Sequence, residues 1–171
     1  AAIIVVNCKA GIEVGTEKAW DLCEKYRLPR IIFATNMDDD HASFRELILK
    51  LERRFGRKIA PFQVPIRENE KFVGFVNAVK MEGRRFTNMS EYEACEIPEY
   101  TEKNLGIARD ALMEAVAETS EEYMERYFNG EEFTLEEILG ALKENVKTSG
   151  MVPVLMGSGL NAQGVRMLLQ D

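Results

Sequence analysis

The chain opens on an unbroken apolar run, Ala1-Ala2-Ile3-Ile4-Val5-Val6, rich in β-branched residues. Such a run predicts a parallel strand buried on both faces. Thr16 is placed to cap a helix running to about Tyr26, with Glu17 and Lys18 in its first turn and Pro29 beyond its end. Ile31–Thr35 predicts a second strand. Ser43 then caps a second helix, in which Phe44, Leu47, Ile48 and Leu51 recur at helical spacing and Gly56 stands at the end. This β-α-β-α order implies a parallel sheet joined by right-handed crossovers.

The pattern changes after Lys58. Pro61–Ile66, Phe72–Val79 and a weaker stretch around Phe86–Ile97 predict short strands, and Pro61 and Pro65 suit sheet edges because proline has no N–H for a ladder. Helices are predicted over Thr101–Glu118, over Glu121–Tyr127 with Ser120 as cap, and from the capping box Thr134-Leu135-Glu136-Glu137 to about Val146. Val152–Met156 returns as a buried strand, followed by Gly157-Ser158-Gly159 and a short helix after Gly164. The fold class is therefore α/β. A parallel sheet comes from residues 1–57 and 151–171, and an α+β insertion from residues 58–150 interrupts it. A strand on the first residue and a helix barely begun at Asp171 make the chain read as a segment of a longer protein.

Composition narrows the classes. No apolar run approaches the ~20 residues of a membrane helix. The net charge of −7 argues against autonomous nucleic-acid binding by this chain, since such binders carry a basic face. Three cysteines (Cys8, Cys23, Cys95) without a C-x-x-C pair speak against a disulfide framework or a zinc site, and point to reduced thiols in a cytoplasmic setting. His41, the sole histidine, stands beside a helix cap with no nucleophile at a recognisable spacing. The basic cluster Arg53-Arg54 and Arg57-Lys58 could touch RNA, but first reads as a helix end complementing its dipole. Glu121-Glu122, Glu131-Glu132 and Glu136-Glu137 favour helix N-termini for the same reason. Met81, Met89, Met113 and Met124 read as packing residues.

In open α/β sheets, ligands sit at the carboxyl ends of the strands. Three such ends occur: Asn7-Cys8-Lys9, Thr35-Asn36-Met37-Asp38 and Gly157-Ser158-Gly159. The second places a carboxylate just past a buried strand, although Asp38-Asp39-Asp40 is also ordinary turn chemistry leading into a helix. The third is a glycine turn with backbone N–H groups that a ligand could approach closely.

Several unlinked segments carry a more specific signal. Val14–Trp20, Phe33–Asp38, Pro61–Ile66, Glu114–Thr119, Gly130-Glu131-Glu132 and Val152–Gly164 resemble bacterial elongation factor G, in the family's order and across essentially the whole chain. The resemblance implies the rear part of a P-loop-type G domain with that factor's inserted subdomain. It implies a GTPase that binds GTP and GDP, promotes ribosomal translocation, and turns its insertion toward the ribosomal stalk protein. It also implies a guanine site. Asp38 corresponds to the carboxylate that accepts guanine's ring N–H and exocyclic amine, a donor pair that adenine lacks. Thr35 and Asn36 line the base, and Ser158, Gly159 and Leu160 cover its carbonyl edge.

The chain departs from the family where an Asn-Lys pair is replaced by Thr35-Asn36. Thr offers one hydroxyl in place of a carboxamide, and Asn36 is too short to lie along a nucleotide, so weaker binding is expected, by about 1–3 kcal/mol. A register shifted by one residue would restore the Asn but turn the strand's side chains to the opposite face. No G-x-x-x-x-G-K-[ST] loop occurs, and the magnesium ligands of the family are missing. The chain alone is therefore expected to lack GTPase activity. Two alternatives remain open: a ribosomal-protection or release-factor-type GTPase, and a degenerate, non-hydrolysing module that binds the ribosome or its stalk.

Overall fold

The computed structural model describes residues 1–88 and 91–170, the side chain of Gln170 excepted. Strands β1 (Ala2–Asn7), β2 (Arg30–Thr35), β3 (Ile59–Pro61) and β8 (Val152–Met156) form a wholly parallel sheet in the order β1-β2-β8-β3. Helices α1 (Val14–Lys25) and α2 (Phe44–Phe55) join one buried cluster with Ile4, Val6, Ile32, Ala34, Val152, Val154 and Met156. A second, antiparallel sheet runs β4 (Gln63–Glu68), β5 (Lys71–Asn77), β6 (Glu82–Phe86) and β7 (Tyr92–Cys95) in sequence order. Helices α3 (Glu102–Ala117), α4 (Glu121–Phe128) and α5 (Leu135–Lys147) follow, and α6 (Val165–Gln170) closes the described chain.

The expected helix signals act as capping residues should. Ser43 Oγ accepts the Glu46 N–H at 3.4 Å, Ser120 Oγ accepts the Tyr123 N–H at 3.1 Å, and Thr134 and Glu137 bond reciprocally. All four apolar positions expected on α2 are buried. Gly56 ends that helix at φ 91°, a conformation that favours glycine. Thr16 differs from expectation. Glu13 is the cap residue, and Thr16 sits in the first turn, where its Oγ1 accepts the Glu13 N–H at 3.4 Å.

Three strand expectations are corrected. β1 is an edge strand: Ile4 and Val6 are buried, whereas Ile3 and Val5, on the opposite face, are 50% and 60% exposed. The apolar run reads as two-sided burial, but the described chain covers one side. The stretch Pro61–Ile66 splits into two strands that serve different sheets. Pro61 and Pro65 both lie on edges, β3 in the parallel sheet and β4 in the antiparallel one. β6 went unpredicted because Glu82-Gly83-Arg84-Arg85-Phe86 shows no apolar alternation. Its strand ends at Phe86 rather than starting there. Met81 is a turn residue at φ 55° and 43% exposed, so it does not pack. Met89 lies outside the described residues.

The two sheets share buried surface. Phe72 and Phe75 of β5 belong to the same cluster as Val154 and Met167. The other face of the antiparallel sheet, with Val64, Ile66 and Val76, packs with Leu105, Leu112, Val116, Ile138 and Leu142 of α3 and α5. Buried Gln63 stitches the sheets together, its Oε1 accepting the Met156 N–H at 2.9 Å.

Candidate functional site

Because β1, β2 and β8 are neighbours, their carboxyl ends stand side by side, and backbone bonds fasten the loops that leave them. The Cys8 N–H donates to Thr35 O at 2.9 Å, the Gly157 N–H to Ala34 O at 2.9 Å, and the Met37 N–H to Gly157 O at 3.1 Å. Asn36 turns the chain at φ 61°, a left-handed conformation that Asn tolerates better than most residues. Two further backbone bonds shape this loop: Asp39 N–H to Asn36 O at 3.2 Å, and Ala42 N–H to Asp39 O at 3.0 Å.

Asp38 sits inside that loop, half-buried. Its Oδ1 is buried and has no hydrogen-bond partner within the structure. A buried carboxylate oxygen without a donor is costly, and its chemistry fits a ligand that brings N–H groups. Asp39 is different. Its Oδ1 accepts the His41 N–H at 2.9 Å and its Oδ2 pairs with Lys9 Nζ at 3.1 Å. The His41 N–H and then Lys9 hold its carboxyl below the ordinary carboxylate range. Asp39 is thus committed to holding the loops from β1 and β2 together.

The third loop is closed by its own residues. Ser158 is fully buried; its N–H donates to Gln163 O at 2.9 Å and its Oγ accepts the Asn161 N–H at 3.2 Å. Ser158 therefore shapes the loop. Gly159 is exposed, and its N–H donates to Thr35 Oγ1 at 3.3 Å. The structure thus joins Thr35 to Gly159 directly and places Asp38 in the adjoining loop. Leu160 is 83% exposed. Adding a Cβ at Gly159 would meet nothing closer than Thr35 Oγ1 at 3.5 Å, so an alanine fits there.

Burial pushes the Cys8 thiol up to about 11, with Arg67 and Lys50 pulling the other way. It stays protonated at neutral pH and offers no nucleophile. No group of three or more His, Cys, Asp or Glu able to hold a metal occurs among the described residues. Nor is any helix among them long and apolar enough to cross a membrane.

Sequence reasoning missed Arg67. Its Nη2 donates to Met37 O at 2.8 Å and to Ala42 O at 3.1 Å, the carbonyls on either side of Asp38-Asp39-Asp40-His41. Nothing in a lone arginine at the end of a predicted edge strand signals this, because the contact depends on how the second sheet docks against the first.

The whole chain, residues 1–171, matches the family model described as elongation factor Tu GTP binding domain. It is 36% identical over 167 residues to an elongation factor G-like protein of Thermotoga maritima, an alignment covering 98% of this chain and 24% of that protein. It superposes on a crystal structure of a Thermus thermophilus protein with a TM-score of 0.90 and 33% identity, covering 99% of this chain and 25% of that one. The chain thus spans about a quarter of the length of the relatives it matches.

Proposed function

Because the chain belongs to the elongation factor Tu GTP-binding domain family and carries part of the G domain of a translation elongation GTPase, we propose that its strand-end loops read the guanine base. Asp38 accepts the ring N–H and exocyclic amine, Thr35 and Asn36 line the base, and Ser158, Gly159 and Leu160 cover its carbonyl edge, the Gly159 N–H exchanging Thr35 Oγ1 for guanine's carbonyl oxygen. The observation that carries this reading is the buried Asp38 Oδ1 with no partner, one residue beyond Met37, whose N–H is pinned to Gly157 O just after β8. GTP or GDP would supply the donors. Magnesium and the phosphates would be held by residues outside the motifs of this sequence.

In the larger protein, residues 1–57 and 151–171 serve the base while residues 58–150 form an inserted unit. The relatives' family supports a place on the ribosome in translation, in a cytoplasmic setting. Translocation is the step we assign, with the acidic helices α4 and α5 facing a partner such as the stalk protein.

The test is a calorimetric titration of the chain with GDP, with ADP as control, alongside Asp38→Asn. We expect GDP to bind and ADP not to, and Asp38→Asn to lose about 1.5–3 kcal/mol of GDP affinity, the worth of a hydrogen bond to a charged group. Equal responses to GDP and ADP would remove guanine reading and leave the non-hydrolysing binding module as the better account.

A further inference from the structure

Arg67 belongs to the antiparallel sheet but acts on the parallel one. The register of β4 against β5 slips between Ile66 and Arg67. The extra residue is Val73 of β5, which brings Phe72 onto the same face as Phe75, and Arg67 points away from Ile66 by ordinary strand alternation. Ile66 remains in the core under α3 and α5, while Arg67 turns toward the loop after β2. Its backbone is held on the other side by Tyr100, whose hydroxyl accepts the Arg67 N–H at 3.0 Å and donates to Arg67 O at 2.9 Å. The Nη1 donates to Glu70 O at 2.7 Å, in a turn where Asn69 and Glu70 both adopt positive φ. The guanidinium is therefore anchored at its base and along one edge before it reaches Met37 and Ala42.

We propose that Arg67 is a positioning residue for base recognition: it clamps both ends of the Met37–Ala42 loop and so fixes where the Asp38 carboxylate stands. This rests on the reading of Asp38 given above. The two clamped carbonyls bracket the turn that carries Asp38, and one guanidinium nitrogen spans both. The planar fork holds Nη2 at the two carbonyls while Nη1 is tied to Glu70 O, a second anchor that a lysine ammonium on a flexible stem lacks. The clamp also ties the site to the β4–β5 hairpin, so displacing the hairpin displaces the base-reading loop.

The probes are guanosine and inosine, which differ only by the exocyclic amine that Asp38 is assigned to bind. Both are titrated into the 171-residue chain and followed by backbone amide shifts of residues 35–42 and 157–160. Wild type should prefer guanosine about tenfold, the scale of one charge-assisted hydrogen bond. Arg67→Ala should bring that preference close to one and speed amide exchange in residues 37–42, while α4 and α5 keep their protection. Arg67→Lys should recover part of the preference, and circular dichroism checks that both variants fold. A variant that melts earlier yet keeps the full preference would reduce Arg67 to a structural residue and overturn the proposal. If wild type and Asp38→Asn both fail to distinguish the two nucleosides, the base reading itself falls and takes the proposal with it.

Discussion

Strand β2 has a buried cation at its start and a half-buried anion just past its end, and the two are treated differently. Arg30 is 1% exposed, lies 4.0 Å over the Trp20 ring and pairs with Glu24, which also takes Lys58 Nζ at 2.5 Å. Trp20 in turn stacks on Phe55 at 4.0 Å. The Nε and Nη1 of Arg30 lack hydrogen-bond partners, yet a π face and a counter-charge stand against the guanidinium and compensate part of its desolvation. Asp38 Oδ1 has neither. A buried ion with a ring and a counter-charge against it reads as architecture; one with neither reads as a candidate site.

The largest effect that would break this contrast is at the sealed end. Trp20→Ala should cost about 3–5 kcal/mol in urea unfolding, because it removes a buried aromatic and uncovers Arg30 together. A loss under about 1 kcal/mol would mean that Arg30 needs no lid. Next comes the loop beside Asp38. A Cβ at Gly157 would lie 2.2 Å from Gln163 O and 2.7 Å from Phe33 Cζ. Gly157→Ala should therefore cost about 1–3 kcal/mol. Gly159→Ala should stay within about 0.5 kcal/mol in the same melt, so equal effects would contradict the loop's packing.

Asp38→Asn should leave stability within about 0.5 kcal/mol, or raise it, since no protein partner is lost. A marked drop would reveal a structural bond to the carboxylate. The smallest effect is acid dependence. The Lys58 hydrogen bond, with Arg30 beside it, lowers the Glu24 carboxyl from its ordinary 4.5. A lowered folded-state value gives stability that is present above 4.5 and lost as pH falls through the folded value. Glu24→Gln should flatten the acid side of the unfolding midpoint, below the ordinary 4.5. Salt should flatten it too, because the pair is half exposed.

The parallel-sheet elements were legible because local signals settle them: β-branched runs for β1, β2 and β8, and Ser43 and Gly56 for the ends of α2; the Thr134–Glu137 box did the same for α5 beside the second sheet. The place of Asp38 just past a strand was legible as well. What stayed hidden depends on tertiary placement. β6 hides behind charged residues, two of which find ionic partners only in the fold: Arg85 with Glu68, and Arg84 with Glu82 at 3.2 Å. The Thr35–Gly159 bond joins residues 124 apart. Arg67 reaches its loop only because its face of β4 packs toward the parallel sheet.

The insertion begins in sequence as a detachable module, yet Phe72 and Phe75 are part of the wall that lines the parallel-sheet core. Thermodynamically the two sheets are then one cooperative unit. The chain should give a single calorimetric melting peak, and replacing residues 62–150 by a short linker should leave no folded remainder. Substitutions in α4, which has no buried residue, should cost the fold little. Such changes should leave the loops after β1, β2 and β8 in place.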